Sequence, residues 1–184
     1  MTHPLAIAEL PVGSKGGVIG LTFAPGKHQK FAMTGAWARD LELDLCTIQN
    51  WGATHLISLL EPWEFKELGI ERLPEVTAGK GISWHGLPIT DGAAPDERLL
   101  KQWSQLSPEL VLDLMSGHRV LVHCKGGLGR AGTVAAMLVL QTGKTTTASD
   151  AMCMVRRVRP GAIETQAQEE FLEQWAHCHH RHLR

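Results

Sequence analysis

The sequence predicts an α/β protein with a central mixed, mostly parallel sheet flanked by helices. Three observations point there. Short apolar runs with strand character (residues 18–23, 55–60, 82–89 and 120–123) alternate with segments whose apolar residues recur at helical spacing. The last of those runs feeds a glycine-rich segment and then a helix, which is how open α/β sheets hold ligands beyond the carboxyl ends of their strands. At 184 residues, 43% hydrophobic and 20% charged, the chain suits one core, and residues 1–184 are expected to form a single domain.

The elements follow in order. Residues 1–35 are rich in Gly and Pro and read as loops around the strand at 18–23. Leu41, Leu45, Ile48 and Trp51 mark a helix over 38–51, stopped by Gly52. His55-Leu-Ile-Ser-Leu-Leu60 reads as a buried strand, followed by a short helix over 63–68. A second buried strand at 82–89 runs into a loop at 90–95. A helix over 96–115 turns Leu99, Trp103, Leu106, Leu110 and Leu114 inward; its Pro108 either starts a second helix or kinks one long one. After the strand at 120–123 come helices over 131–141, 147–158 and 164–182.

Composition excludes several classes of function. Lys plus Arg (18) nearly balance Asp plus Glu (19), so no net field recruits nucleic acid or an anionic membrane, and any anion must be held locally. No apolar run is long enough to span a bilayer, and the N-terminus lacks the pattern of a signal peptide. Four cysteines without a C-x-x-C pair suit a reduced, cytoplasmic chain better than a disulfide framework. A protective disulfide between Cys124 and Cys46 or Cys153 is the minor alternative. Trp37, Trp51 and Trp103 read as core.

Chemistry concentrates in His123-Cys124-Lys125-Gly126-Gly127-Leu128-Gly129-Arg130. Cysteine, five residues and arginine is a poor motif by itself; 153–159 and 178–184 also fit it, but without glycines and within helical stretches. Around Cys124 the context is specific. Glycines let backbone amides close around one anion, the helix N-terminus adds positive potential, and the Arg130 fork can grip two phosphate oxygens. The same donors favour a thiolate at Cys124, aimed at phosphorus. The Walker and dinucleotide patterns are absent, and no cofactor or metal is expected.

Phosphoester cleavage also needs a proton for the departing oxygen. Asp91 fits, because it follows the strand at 82–89 and opens a polar loop. Asp96 is the competitor, but it precedes a helix and reads as its N-cap.

These residues resemble a known family. His-Cys-Lys-Gly-Gly-Leu-Gly-Arg-Ala-Gly-Thr, residues 123–133, is similar to the signature loop of the cysteine-dependent protein tyrosine phosphatases, in their compact dual-specificity branch. Residues 85–92, residues 161–166 with Phe171, and residues 24–26 resemble the acid-bearing, C-terminal and N-terminal segments of a member of that branch, in the same order. The resemblance implies a protein tyrosine phosphatase-like fold. It implies Cys124 as nucleophile, Arg130 as clamp, Asp91 as acid, and the amides of Lys125, Gly126, Gly127, Leu128, Gly129 and Arg130 as cradle. His123, Thr133 and Gln168 would act around them: His123 holding loop and thiolate, Thr133 replacing a missing hydroxyl, Gln168 placing water. For His123 the alternative is a core histidine, and for Gln168 a solvent-facing helix residue.

Two positions depart from the family pattern. Ala131 stands where relatives carry Ser or Thr, so hydrolysis of the phosphoenzyme is expected to be slow unless Thr133 or a water substitutes. Glu164 stands where tyrosine-specific relatives carry Gln. The expected activity is hydrolysis of phosphotyrosine and, with nothing deepening the pocket, of phosphoserine and phosphothreonine. The alternatives are a phosphate-binding module with little turnover and a phosphatase for lipid or RNA phosphate, the lipid substrate disfavoured by Leu128 in place of a second lysine. A phosphorylated protein is the expected partner, not nucleic acid or membrane, and a monomer is expected. Arg156, Arg157 and Arg159 read as a solvated helix face or, less favoured, a docking patch; the tail histidines 177, 179, 180 and 182 with Cys178 read as an incidental cluster.

Overall fold

The computed structural model describes residues 4–31 and 35–180. Five strands form the main sheet: β1 (Ala8–Pro11), β2 (Val18–Phe23), β5 (Ala53–Ser58), β6 (Ser83–Gly86) and β7 (Arg119–Cys124), in the order β1-β2-β7-β5-β6. β1 pairs antiparallel to β2 and every other pairing is parallel. A two-residue ribbon, β3 (His28–Gln29) with β4 (Trp37–Ala38), stands apart.

Alternation along the strands explains the two helical layers. Val120, Val122, Ile57, Ile19 and Leu21 face one core, built with α4 (Glu97–Ser116), α5 (Gly129–Gln141), α6 (Ala148–Val158) and α7 (Gln166–His180). Leu121 and Leu56 face the other, built with α1 (Leu41–Trp51), α2 (Pro62–Glu67) and α3 (Leu73–Gly79). Among the described residues no helix is long and apolar enough to cross a membrane.

Most boundaries expected from sequence move for identifiable reasons. α1 begins at Leu41 rather than 38 because Asp40 caps it, accepting the N–H of Leu43. α4 is one helix, with Pro108 inside it. Trp103 Nε1 donates to Gln141 Oε1 (3.0 Å) and Gln141 Nε2 to Ser107 Oγ (3.1 Å), so α5 braces the turn that the proline weakens. β1 and α3 were not expected. The last helix starts at Gln166, not 164, because Ile163, with φ +61, breaks the helical path before Glu164.

Candidate active site

The carboxyl ends of β7 and β5 and the N-terminus of α5 meet at residues 123–130. Cys124, the last residue of β7, is buried, and its Sγ accepts the N–H of Gly127 at 3.2 Å. Gly127 has φ +70, and a Cβ there would lie 2.4 Å from the Thr22 backbone, so only glycine lets the chain turn so tightly against β2.

The loop's carbonyls are all engaged on the outside. Lys125 O accepts from Ala24 N and Lys27 Nζ, Gly126 O and Gly127 O from Arg159, and Leu128 O from Gly132 N and Ile163 N. In a trans peptide the next residue's N–H points the opposite way, so the N–H groups of residues 126–129 turn into one hollow beside Cys124. Arg159 thus braces the cradle from behind, with Nε and Nη2 each 3.0 Å from a carbonyl, and is not part of a solvated face. Arg156 is likewise engaged, by Ala162 O, Ile163 O and Glu169.

Arg130 is almost fully buried and rigidly held. Its Nη1 donates to Glu64 Oε2 (2.6 Å), Ile89 O (3.1 Å) and Leu59 O (3.3 Å), and its Nη2 to Glu64 Oε1 (3.0 Å). Burial opposes its charge, but the hydrogen bonds of Glu64 and the negative charges of Cys124, Glu64 and Asp91 outweigh that and hold its proton more tightly than usual. Its Nε, buried, has no partner among the described residues. A buried, charged donor without a partner is able to take up an oxyanion.

Asp91 reaches the same guanidinium from the rim, its Oδ1 3.1 Å from Nη2 and its side chain 67% exposed. It occupies a turn closed by Ala93 N–H to Thr90 O (2.9 Å), with Gly92 at φ +76. Asp96 instead caps α4, accepting from the N–H groups of Arg98 and Leu99, and pairs with the Arg98 side chain. Gln168 is fully buried and does not face solvent: Oε1 accepts the N–H groups of Glu164 (2.9 Å) and Thr165 (3.3 Å), and Nε2 donates to Ala93 O (3.1 Å). With Thr165 Oγ1 donating to Gly92 O (3.0 Å), it ties the Asp91 turn to the segment before α7.

His123 is fully buried, with Nε2 2.7 Å from Ser58 Oγ and Nδ1 3.4 Å from Cys124 O. Burial pushes it down to about 4, against the contact with Cys124 O, so it is neutral at pH 7. Thr133 Oγ1 donates back to Gly129 O (2.8 Å), which commits its proton within α5. Lys125 pairs its side chain with Glu67 (2.9 Å). Lys27, buried with its Nζ 4.2 Å from the Trp37 ring centroid and 5.0 Å from that of Phe23, is lowered by burial to about 8, against the charge of Cys124. All four cysteines are free. Of the tail cluster, His182 lies outside the described residues.

Comparison with known proteins places this arrangement. A family model described as "Swiss Army Knife protein, DSP-PTPase phosphatase domain" matches residues 29–172. The chain belongs to that phosphatase family. It is a cysteine-dependent protein phosphatase, 30% identical to human cyclin-dependent kinase inhibitor 3 over 85% of its own length and 71% of the relative's. Human protein tyrosine phosphatase type IVA 3 is 27% identical over 81% of this chain and 80% of its own. A crystal structure of a kinase-associated phosphatase, its catalytic cysteine replaced by serine, superimposes with a TM-score of 0.83 at 26% identity, covering 97% of each chain.

Sequence reasoning missed four residues of this phosphatase site: Glu64, Ser58, Lys27 and Arg159. Glu64 carries a signal that could have found it, since Glu61-Pro62-x-Glu64 directly after β5 is a capping box at the sheet's ligand end. The other three touch the site only through folding.

Proposed function

We infer that this phosphatase cleaves phosphomonoesters on proteins through a phosphocysteine at Cys124. The observation that carries this reading is Cys124 Sγ at the floor of the amide hollow, under a buried guanidinium with an unpartnered Nε. The substrate's phosphate oxygens take the N–H groups of residues 125–130 and Arg130. Cys124 Sγ attacks phosphorus, the P–O bond to the leaving group breaks, and Asp91 gives its proton to the departing oxygen. Asp91 then takes a proton from water as that water attacks phosphorus, and the S–P bond breaks to release inorganic phosphate.

Phosphotyrosine fits this site, and phosphoserine and phosphothreonine are included because no segment is assigned to deepening the entrance. Pairing of Lys125 with Glu67 removes free positive charge from the mouth, which favours a protein phosphate over a multiply phosphorylated inositol. The likeness to a kinase-associated phosphatase makes a phosphorylated protein kinase the first substrate to try. We place the chain in the cytoplasm, as a single-domain monomer.

The test is hydrolysis of aryl and alkyl phosphates by the wild type, Cys124→Ser and Asp91→Ala. Cys124→Ser is expected to be inactive. Asp91→Ala should lose about 10²–10⁴-fold on a poor leaving group and far less on a good one. Equal activity of Cys124→Ser and wild type would overturn the assignment.

A further inference from the structure

The hollow that would receive phosphate already holds two carboxylates from its own chain. Asp91 lies against Arg130, where an acid is needed. Glu164 has no such explanation, yet its Oε2 accepts the N–H of Gly129 at 2.8 Å. That N–H is the first donor of α5, on a peptide whose carbonyl, Leu128 O, is turned away toward Gly132 and Ile163.

The backbone beneath this contact is held on both sides. Ile163 is the one non-glycine residue with positive φ among those described, a costly conformation for a β-branched side chain. It is kept there by its N–H on Leu128 O (3.4 Å), by Arg156 Nη2 on its carbonyl (2.9 Å), and by burial of its side chain. On the far side, buried Gln168 grips the N–H groups of Glu164 and Thr165. The Glu164 side chain itself is exposed, so it can swing while its backbone stays fixed. A Cβ on Gly129 would come 2.5 Å from Glu164 Oε2, so glycine here also makes room for the carboxylate.

We propose that Glu164 determines the affinity of the site: in the free enzyme its carboxylate occupies one donor of the cradle, and the phosphoryl group must displace it to bind. The proposal rests on the phosphatase reading above and concerns how that site discriminates. A displaced carboxylate remains tethered beside a phosphate dianion, and like charges at that range oppose binding. Inorganic phosphate and small esters, with no contacts outside the cradle, carry that cost in full. A phosphoprotein offsets it with contacts at the rim. Glu164 therefore speeds departure of product and favours macromolecular substrates over small ones.

The experiment measures the inhibition constant of inorganic phosphate against aryl phosphate hydrolysis, with its Kd by calorimetry, for the full chain. Variants are Glu164→Ala, Glu164→Gln and, as a control for net charge, the exposed Glu173→Gln. Glu164→Ala should bind phosphate about tenfold more tightly, the size of a charge-assisted hydrogen bond that no longer has to be broken. Glu164→Gln, which still offers an acceptor but no charge, should fall between; Glu173→Gln should match the wild type. If the alanine variant does not fold, the glutamine variant decides alone. Phosphate binding unchanged or weakened in the Glu164 variants, with wild type active and Cys124→Ser inactive, overturns this proposal and leaves the phosphatase reading standing. Activity surviving in Cys124→Ser removes both.

Discussion

Glu64 and Asp91 put a carboxylate on the same guanidinium, and almost everything else about them differs. Glu64 is buried, 1% exposed, and fixed by a bidentate pair with Arg130 and by the N–H of Glu61 at 2.8 Å. Asp91 is 67% exposed and makes one contact with Arg130, from a turn held by Thr165 and Gln168. In a dry pocket a carboxylate has no freedom to exchange a proton without leaving an arginine uncompensated, so Glu64 is a strut. At the wet rim the same group keeps a path to solvent and to a leaving oxygen, so Asp91 can do chemistry. The identity of the residue decides less than the dielectric around it.

The largest effect expected from breaking this contrast is at the buried partner. Glu64→Gln should cost about 3 kcal/mol of stability, because it strands a buried guanidinium, and should abolish activity with it. Denaturant melts and aryl phosphate turnover measure the two together. Asp91→Asn should separate them, with melting displaced by less than about 0.5 kcal/mol and the rate on poor leaving groups greatly reduced. Equal destabilisation by both substitutions would erase the distinction.

Acid sharpens it next. His123, lowered to about 4 by burial, stays neutral in the folded chain while an unfolded histidine takes a proton near 6.5. The unfolded state then binds more protons between those values, so stability falls as pH drops from about 6.5 to about 4, by on the order of 3 kcal/mol. Denaturant midpoints across that window should show the slope, and His123→Asn should flatten it. The smallest effect is expected at the helix start. With Ala131 lacking a hydroxyl and Thr133 donating to Gly129 O, neither position offers a free hydroxyl to the departing cysteine sulfur. Wild type should show a pre-steady-state burst, and Ala131→Ser should shrink it by raising phosphoenzyme hydrolysis a few-fold.

Reading the site from sequence worked where neighbours along the chain carry the information. The strand at 18–23 and the Cys124–Arg130 loop fall where periodicity and glycine spacing place them. Asp96 is an N-cap as its position before the helix implied. It failed for Arg159, read as a solvated face or docking patch, whose carbonyl partners lie 32 and 33 residues away; of the two readings of Gln168 the solvent-facing one fails, since the side chain is buried beside Gly129 and ties two loops together. Glu64 meets Arg130 across 66 residues, and His123 meets Ser58 across 65.

Sequence by itself determined the class of fold, the family and the position of the Cys124–Arg130 loop, because each is written in short-range patterns: alternation, helical spacing, and glycines where the backbone must turn tightly. Tertiary structure alone decided which charged groups are struts and which are free. That choice depends on burial and on partners brought from distant strands, and a carboxylate's energy changes more with its surroundings than with its sequence neighbours.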